Sequence, residues 1–241
     1  MTKSVLITGA ATRIGKALAI GLAQDGWAIA IHYNRSKDSA ETLAAQLGGG
    51  AVVVQANLNV PSELDTLVSR ASMALGRPLT ALINNASTYC PDSAHNFNAA
   101  LYDHHMSVNV KAPLSLTQQF AHLLPTDEKG VIINMIDHRV LKPSPDYFTY
   151  SLSKSALYWA TQTLAQSLAP HIRVCGIGPG PTLQNTHQSA ADFKAEIDAT
   201  ILKSGSPPDT ILHAVRYLLE AHAVTGQMIC VDGGEHLIFK G

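Results

Sequence analysis

The chain has 241 residues, of which 46% are hydrophobic and 15% charged, so it can bury a full core and has too many apolar residues for a disordered protein. Lys and Arg total 17 against 18 for Asp and Glu, and neither sign forms a run, which excludes an electrostatic footprint for nucleic acid or an anionic membrane. The chain starts directly on a strand-like segment, its three cysteines are far apart, and no apolar stretch is long enough to span a bilayer, so we expect a cytoplasmic protein without disulfides.

Seven short apolar segments rich in β-branched residues recur along the chain and are typical of strands buried on both faces. They lie at residues 5–8, 28–33, 51–55, 81–84, 131–136, 172–177 and 228–231. Helical patterns separate them, which favours parallel strands joined by crossover helices. The order predicts a single α/β domain with a doubly wound, seven-stranded parallel sheet and helices on both faces.

Amphipathic helices are predicted between the strands, because apolar residues recur three and four positions apart. These residues are Ile14, Ala17, Leu18 and Leu22 in a first helix, Leu43, Ala44 and Leu47 in a second, and Leu64, Leu67, Val68 and Ala71 in a third. An Ala/Leu-rich pattern at 153–168 predicts a longer helix that ends before Pro170. The polar segment 182–206, which follows a Gly-Pro-Gly-Pro sequence, is predicted to form a mobile lid.

A glycine-containing loop, residues 8–15, directly follows the first strand and opens the first helix. Free backbone N–H groups and the helix dipole at such a turn favour a pyrophosphate. Gly9 and Gly15 allow the tight turn and the close approach of helix to strand, while Arg13 replaces a glycine of the usual dinucleotide fingerprint and Ile14 adjoins it. The alternative is a turn that merely links a strand to a helix.

The end of the second strand indicates which dinucleotide binds. An NAD site usually has Asp or Glu there for the ribose 2′-hydroxyl, whereas this chain has His32, Tyr33, Asn34, Arg35 and Ser36. The guanidinium of Arg35 and the hydroxyl of Ser36, with Arg13, suit a 2′-phosphate, so NADPH is the predicted cofactor. Alternatively, Arg35 is a solvated surface charge.

Tyr150 and Lys154 stand four residues apart near the start of the long predicted helix, so both side chains project from one face. An ammonium near a phenol favours the phenolate, so we expect Lys154 to lower the pKa of Tyr150 and make it a usable acid and base. The pair alone is common by chance.

The combination of motifs resembles the short-chain dehydrogenase/reductase family over essentially the whole chain. The matching motifs are the Thr-Gly loop at 8–9, Asn84-Asn85-Ala86, Asn109, Tyr150-x-x-x-Lys154, Pro179-Gly180 and Val231-Asp232-Gly233-Gly234. The resemblance implies a Rossmann fold with a cofactor half at about 1–130 and a catalytic and substrate half at about 131–241. It also implies that Tyr150 donates a proton, Lys154 binds the nicotinamide ribose, and Asn109 takes part in a proton relay.

One departure from the family pattern narrows the range of expected substrates. Most members have a substrate-binding serine about a dozen residues before the tyrosine, where this chain has Asp137. Pteridine reductases make the same replacement, and they also resemble this chain in Arg13, in the segment 32–36 and in Asn-Asn-Ala-Ser at 84–87. That resemblance implies that Ser87 holds cofactor or pterin and that Tyr89 stacks the pterin. The structural alternative is that Asp137 caps a loop or pairs with Arg139.

The resemblance supplies the remaining expected site residues. Further cofactor contacts are expected from Asn57, Leu58, Asn85, Ala86, Pro179 and Gly180, and a substrate contact from Pro181. Asn57 replaces the family's usual Asp beside the adenine. No metal site is expected, since the adjacent His104 and His105 point in different directions on a helix.

The leading hypothesis is an NADPH-dependent reductase that transfers hydride to a C=N bond of a dihydropterin, possibly also of dihydrofolate. One alternative keeps the fold and cofactor but reduces a ketone or a 3-oxoacyl thioester. A third hypothesis, from another class, is a protein that senses NADP(H) without chemistry. By resemblance, the final helix and strand predict a homotetramer with D2 symmetry.

Overall fold

The computed structural model describes residues 3–185 and 188–239. Its seven strands are β1 Ser4–Ile7, β2 Ala28–Tyr33, β3 Ala51–Gln55, β4 Ala81–Asn84, β5 Gly130–Met135, β6 Ile172–Pro179 and β7 Met228–Val231. All seven predicted strands are confirmed. The boundaries of β1 and β5 are shifted by one residue towards the amino terminus, and β6 extends two residues further than predicted.

The strands form one sheet in the order β3-β2-β1-β4-β5-β6-β7, and every pair is parallel. The predicted doubly wound parallel sheet is therefore confirmed. The direction of winding reverses at β1, where Val5 is paired with Ile29 of β2 on one side and Ala81 of β4 on the other. Ligands of open α/β sheets bind outside the carboxyl ends of the strands at such a reversal.

Nine α-helices lie in the described ranges: α1 Arg13–Gln24, α2 Lys37–Leu47, α3 Pro61–Leu64, α4 Leu67–Leu75, α5 Ala99–Met106, α6 Ala112–Leu123, α7 Phe148–Leu168, α8 Ala190–Ala199 and α9 Pro208–Glu220. The prediction of one continuous third helix was wrong, because two helices, α3 and α4, lie there. Thr66 has φ −115° and ψ 0°, which interrupts the helix between Leu64 and Leu67. In these same ranges no helix combines the length and the apolar character that crossing a bilayer requires.

Helices cover both faces of the sheet, as predicted. On one face Leu18 of α1, Leu43 of α2 and Val215 of α9 pack in a single core with alternate strand residues. On the other face Leu67 of α4 and Phe120 of α6 pack in a second core, together with part of α7. Both cores consist mainly of aliphatic residues, with Tyr33 in the first and Phe120 in the second.

The segment predicted to form a lid contains helix α8. Ser189 accepts a hydrogen bond from the Asp192 N–H, and the Asp192 carboxylate accepts one from Ser189 N–H, which forms a capping box. No residue of α8 is fully buried, so few apolar contacts fix it to the core. Residues 186–187 of the predicted lid lie outside the described residues, and its mobility stays a prediction.

Candidate active site

A cavity of about 540 Å³ lies at the carboxyl edge of the sheet, beside the reversal of strand order. Most of the predicted site residues line it: Gly9, Arg13, Ile14, Gly15, Asn85, Ala86, Ser87, Tyr89, Asp137, Tyr150, Lys154, Pro179, Gly180 and Pro181. The sheet therefore brings together segments that are more than 170 residues apart in sequence. The cavity also contacts residues of α8, which were not predicted.

The floor of the cavity is the loop between β1 and α1. The Thr8 hydroxyl accepts hydrogen bonds from the N–H groups of Asn85 and Ala86, both at 2.9 Å, and Asn85 Nδ2 donates to Thr8 O at 2.8 Å. Gly9 has φ +64°, and a Cβ on Gly15 would lie 2.7 Å from Asn85 Nδ2. Glycine is therefore required at both positions, one for its backbone conformation and one for a close approach.

Arg13 occupies the position where the usual fingerprint has a glycine, and it adopts a left-handed backbone with φ +52°. Its guanidinium donates hydrogen bonds to Leu183 O at 3.0 Å and Gln184 O at 3.1 Å. These two carbonyls belong to the start of the predicted lid. In this structure Arg13 thus connects the glycine loop to the lid segment, a contact that the sequence did not indicate.

His32 was predicted to contact the cofactor, but its side chain lies beneath the glycine loop and is 2% exposed. Nδ1 accepts a hydrogen bond from Gly9 N–H at 3.0 Å, and Nε2 lies 3.0 Å from Ala56 O. The ring must donate to that carbonyl and is therefore neutral. Burial lowers the pKa of His32 to about 4. The correction is that His32 supports the loop from below.

Two more predicted cofactor residues, Tyr33 and Leu58, have side chains that pack in the two hydrophobic cores and do not line the cavity. Asn57 lies nearby, and its N–H donates to the Glu63 carboxylate at 2.6 Å. Tyr33 ends β2 and packs in the first core, whereas Leu58 lies in the turn beyond β3 and packs in the second. Any cofactor contact from these two positions is therefore made by the backbone.

The residues that follow β2 are exposed, namely Asn34, Arg35 and Ser36. Within the described part of the chain, the Arg35 guanidinium makes no hydrogen bond or ion pair. Ser36 is the N-cap residue of α2, whose first turn contains Asp38. This edge therefore presents an unpaired cation beside the amino end of a helix, an arrangement that suits an anion.

The catalytic constellation centres on Tyr150 and Asp137. The Tyr150 hydroxyl donates a hydrogen bond to Asp137 Oδ2 at 2.7 Å. The sequence-based expectation that the pKa of Tyr150 is lowered was wrong for this structure. Burial and the adjacent Asp137 carboxylate raise the pKa of Tyr150 well above its usual range. The phenol therefore keeps its proton at neutral pH, as an acid must before it donates.

Lys154 does not hydrogen-bond to the phenol. Its Nζ donates to Met135 O at 2.8 Å and lies 5.7 Å from the centre of the Tyr150 ring. Burial lowers the pKa of Lys154 to about 8, and the Asp137 charge opposes this shift. The ammonium is thus fixed by the end of β5 at the base of the cavity.

The capping role of Asp137 is observed, whereas its contact with a substrate stays a prediction. Asp137 Oδ1 accepts a hydrogen bond from Arg139 N–H at 2.9 Å and so caps the short 3₁₀ helix His138–Val140, while Oδ2 accepts the hydrogen bond from the Tyr150 hydroxyl. The Arg139 guanidinium is half-buried nearby. Burial disfavours its charge, but Asp137 and Tyr89 outweigh burial and raise the pKa of Arg139. Capping fixes one oxygen and leaves the other directed at the phenol.

An aromatic wall borders the catalytic pair. Tyr89 stacks on Tyr147 with ring centres 4.1 Å apart and meets the Tyr150 ring edge-on at 4.8 Å. Arg139 donates to the Tyr89 hydroxyl at 3.0 Å and lies 5.3 Å from the centre of the Tyr147 ring. Tyr147 has φ +55°, a left-handed conformation unusual for a bulky residue. Such strain is typical of functional sites.

Asn109 lies in a π-helical turn, Ser107–Lys111, between α5 and α6. Its side-chain oxygen accepts from Ser87 Oγ at 3.1 Å and Thr88 N–H at 2.9 Å. Its nitrogen donates to Thr88 O and to Ser153 Oγ, both at 3.0 Å. Asn109 therefore joins the segment after β4 to α7, and π turns of this kind are frequent at functional sites. Its part in a proton relay stays a prediction.

A buried polar chain beside the catalytic tyrosine was not predicted. His105 Nδ1 lies 2.8 Å from the Thr149 hydroxyl, which donates to the Asp92 carboxylate. His105 Nε2 accepts a hydrogen bond from Cys90 N–H at 3.3 Å. These hydrogen bonds connect the segment that contains Tyr89 to the first turn of α7. Burial lowers the pKa of His105, so the ring remains neutral.

Spacing alone could not have revealed several residues at this site, because they depend on contacts across the fold. They are Tyr147, Arg139, His138, Glu235, His105, Phe193 and Glu196. The one available signal was the run of basic residues directly after Asp137. A cationic residue next to Asp137, the carboxylate predicted to bind the substrate, indicates a site in which charges are balanced.

Comparison with known proteins identifies the family of this chain. The pattern of the family described as short chain dehydrogenase matches residues 3–195. The chain is similar to the crystal structure of FolM alternative dihydrofolate reductase 1 from Brucella canis complexed with NADP, with 42% identity and a TM-score of 0.97. That similarity covers 100% of this chain and 97% of the other.

Two further relatives are more distant. Dihydromonapterin reductase from Shigella sonnei is 29% identical over 237 residues, which cover 97% of this chain and 96% of the relative. The 3-oxoacyl-acyl-carrier-protein reductase FabG from Staphylococcus epidermidis is 27% identical, covering 98% of this chain and 100% of the relative. The family match spans most of the chain and includes the glycine loop, Tyr150 and Lys154. The chain therefore belongs to the short-chain dehydrogenase family.

Proposed function

We propose that this protein is an NADPH-dependent reductase that transfers hydride to a C=N bond of a dihydropterin, with dihydrofolate as a further substrate. The observation that carries the proposal is the hydrogen bond from Tyr150 to Asp137, which places a carboxylate where most family members have a serine hydroxyl. The similar Brucella canis and Shigella sonnei proteins are named for dihydrofolate and dihydromonapterin reduction, which supports the same substrate class.

The residues present fit a dinucleotide. Gly9 and Gly15 leave a cradle that a Cβ would fill, and the backbone N–H groups that open α1 suit a pyrophosphate. Arg35 and Ser36 are exposed after the end of β2, where the 2′-phosphate of NADPH would lie, and residues 32–36 include no carboxylate to repel it. Lys154 lines the same cavity, where the resemblance to the family implies that it binds the nicotinamide ribose. When bound, NADPH supplies the hydride.

The substrate pocket suits a flat heterocycle that is rich in N–H groups. The ring of Tyr89 is 39% exposed and borders the cavity, so it offers a stacking face. Asp137 is an acceptor of N–H donors, whereas the serine of most relatives donates to a carbonyl. Ser87 lines the same cavity and offers a hydroxyl. These three side chains orient the ring, and orientation is a large part of the rate enhancement.

The proton reaches the substrate nitrogen from Tyr150. Its raised pKa keeps the phenol protonated until hydride arrives and the nitrogen becomes basic. Asp137 holds the hydroxyl in position and accepts its hydrogen bond. Lys154 stabilises the phenolate that forms, since its ammonium lies on the face of the Tyr150 ring. The reaction consumes one proton from water in each cycle.

The alternative function, reduction of a ketone or 3-oxoacyl thioester, is supported by the similarity to FabG. Purified protein with NADPH is to be incubated in turn with a dihydropterin, dihydrofolate, a 3-oxoacyl thioester and a ketone, while absorbance at the NADPH band is followed. We expect turnover of the dihydropterin at the highest kcat/KM. Turnover of the ketone or thioester without the dihydropterin would contradict the proposal.

A matched variant separates the two functions further. Asp137→Ser restores the usual family residue, so we expect it to lower kcat/KM for the dihydropterin by about 100-fold, a loss typical of a positioned polar group. Binding of NADPH, followed by its fluorescence, should stay unchanged because the carboxylate lies beyond the glycine loop. If the unaltered protein reduces none of the four substrates but still binds NADPH, that result would favour the sensing function.

We further propose that the chain forms a homotetramer of D2 symmetry in the cytoplasm. A mostly apolar groove of about 850 Å³ on the face of α5, α6 and α7 supports assembly, as do the exposed Trp159 of α7 and Tyr217 of α9. All three cysteines are free thiols, which suits a reducing compartment. Light scattering should give about four times the chain mass of 25.6 kDa, and the mass of a single chain would contradict the proposal.

A further inference from the structure

His138 follows the catalytic carboxylate directly and is almost wholly enclosed, with a side chain that is 7% exposed. Its Nδ1 lies 3.0 Å from Pro179 O and 3.3 Å from Asp137 Oδ1. Its Nε2 lies 3.3 Å from Glu235 Oε2. Both ring nitrogens therefore face oxygen atoms that accept hydrogen bonds when the two carboxyl groups are ionised.

This environment favours the protonated form of the ring. A neutral imidazole has one nitrogen without a proton, and that nitrogen would meet an oxygen lone pair at close range. An imidazolium instead donates to Pro179 O and carries a positive charge 3.3 Å from the Glu235 carboxylate. Burial disfavours the charge on His138, but the neighbouring Glu235, Asp137 and Pro179 carbonyl outweigh burial and raise its pKa above the ordinary value.

Glu235 is held in place by the turn that follows β7. The Asp232 carboxylate accepts hydrogen bonds from the N–H groups of Gly234 and His236, at 3.0 and 2.8 Å, which fixes the 3₁₀ helix Glu235–Leu237. Glu235 Oε2 is buried and has no hydrogen bond among the described residues. The imidazole 3.3 Å away is thus positioned to neutralise a carboxylate that burial would otherwise destabilise.

The charged groups around the ring come from three segments. Asp137 and Arg139 belong to the segment of His138 itself, Glu235 faces it from the last turn, and the end of β6 contributes only a carbonyl oxygen. His236 is paired with Asp232 at 2.7 Å and lies on the same turn as Glu235. The ring is therefore linked to the reacting phenol by one side chain, Asp137.

We propose that His138 is a protonated reservoir which returns a proton through Asp137 to Tyr150 after each turnover, while Glu235 holds the charge on the ring. This inference rests on the proposed reductase function. His138 does not contact the reacting atoms, so it acts as a positioning and proton-supplying residue.

The proton balance closes over one cycle. Tyr150 gives its proton to the substrate nitrogen and becomes a phenolate. His138 Nδ1 then gives a proton to Asp137, and after rotation of the carboxyl group Asp137 gives it to the phenolate. Nδ1 of the neutral His138 then regains a proton from water in the cavity, which His138 and Asp137 both line. No bond other than N–H and O–H changes, and one proton is taken from water for each hydride transferred.

Nuclear magnetic resonance of histidine-labelled protein tests the protonation state directly, with His138→Gln used to assign the signal. We expect the His138 ring to be an imidazolium at pH 7.5, with and without NADP⁺. Glu235→Gln should lower the midpoint of its titration by about one pH unit or more. His236→Gln, on the same turn, should move it far less. A ring that is neutral at pH 7 in the unaltered protein would overturn the proposal.

Turnover tests the supply of protons. In His138→Gln we expect kcat to fall by about tenfold or more with little change in KM, and the solvent deuterium isotope effect on kcat to increase. His213→Gln, an exposed residue of α9, is the matched control and should behave as the unaltered protein. A kcat within twofold of the control, with an unchanged isotope effect, would contradict the proposal.

The two proposals fail separately. The resonance measurement needs no substrate. If the His138 ring is neutral while the protein reduces the dihydropterin, only the proposal of a proton reservoir is contradicted. If the protein reduces ketones and no dihydropterin, the same comparison is made with the ketone, because its oxygen also takes a proton from Tyr150. If the His138 ring is then an imidazolium and His138→Gln lowers kcat for the ketone, the proton reservoir is supported although the pterin function is not.

Discussion

The cofactor end and the substrate end of the cavity lie side by side but are built differently. Around the glycine loop, neutral groups such as Thr8, Asn85 and His32 hold the backbone in one shape. Around the catalytic pair, charged and aromatic groups hold one another: Asp137 accepts from Tyr150 and from Arg139 N–H, and the Arg139 guanidinium donates to Tyr89. The first construction serves any dinucleotide enzyme of this fold, whereas the second is suited to one substrate class. The difference predicts that damage to one end leaves the other largely intact.

The largest expected effect separates the two ends completely. Tyr150→Phe removes the proton donor and keeps the ring, so kcat should fall by about 10² to 10⁴. The dissociation constant for NADPH, measured by fluorescence titration, should change less than about threefold because no atom of the glycine loop contacts the phenol. Tyr158→Phe, on the same helix, is the control. Unchanged turnover in Tyr150→Phe would make the mechanism wrong.

Acid should weaken the cofactor end through His32. Its pKa is about 4 in the folded protein against 6.5 when exposed, so in this pH interval the unfolded chain binds a proton that the folded protein does not. Stability contributed by the neutral ring is therefore lost as pH falls from 6.5 towards 4. Between pH 7.5 and 4.5 the loss attributable to His32 should be about 2 to 3 kcal/mol.

The variant His32→Gln isolates this contribution, since an amide can accept from Gly9 N–H and donate to Ala56 O without titrating. Urea unfolding at the two pH values should show a smaller pH dependence in the variant. An equal loss of unfolding free energy in both proteins would show that His32 does not titrate as described.

Cofactor choice should depend on a single side chain. Arg35→Ala should weaken NADPH by about 10- to 100-fold, as for a lost hydrogen bond to a charged group, and should leave NADH nearly unaffected. Arg77→Ala, another exposed arginine, is the control. Calorimetric titration with both cofactors measures the difference. Equal weakening of NADPH and NADH would place the 2′-phosphate elsewhere.

A smaller effect is expected at the aromatic wall of the substrate end. Tyr147→Ala removes the ring that supports the rear face of Tyr89, which is worth about 0.5 to 1.5 kcal/mol for a stacked pair. We expect KM for the dihydropterin to rise about three- to tenfold, with kcat less affected and NADPH binding unchanged. Tyr147→Phe keeps the stack and should lie close to the unaltered protein. Identical KM values for the two variants would show that the stacking of Tyr147 on Tyr89 does not contribute to substrate binding.

The sequence predicted the cofactor end well, because backbone requirements are visible in residue types. A glycine at a left-handed turn and apolar runs at strand positions have few alternatives, so all seven strands and most cavity residues were found. It failed at Thr66, where a local backbone break interrupts an otherwise regular apolar stripe. It also failed at His32, because the histidine side chain turns inward beneath the loop.

The substrate end was less predictable, because its contacts join residues far apart in the chain. Nothing near Tyr147 indicates that it stacks on Tyr89, and nothing near His138 indicates Glu235. The direction of the Tyr150 pKa was mispredicted for the same reason. The sequence places Lys154 four residues away, but burial and the Asp137 carboxylate dominate in the folded protein.

A crystal structure of the protein with NADPH and a dihydropterin tests the central claim most directly. We expect the pterin ring to lie between Tyr89 and the nicotinamide, with an Asp137 oxygen within hydrogen-bonding distance of a ring or amino nitrogen and the Tyr150 hydroxyl beside the C=N bond that is reduced. A pterin bound away from Asp137, or with its C=N bond out of reach of the nicotinamide, would contradict the proposed function.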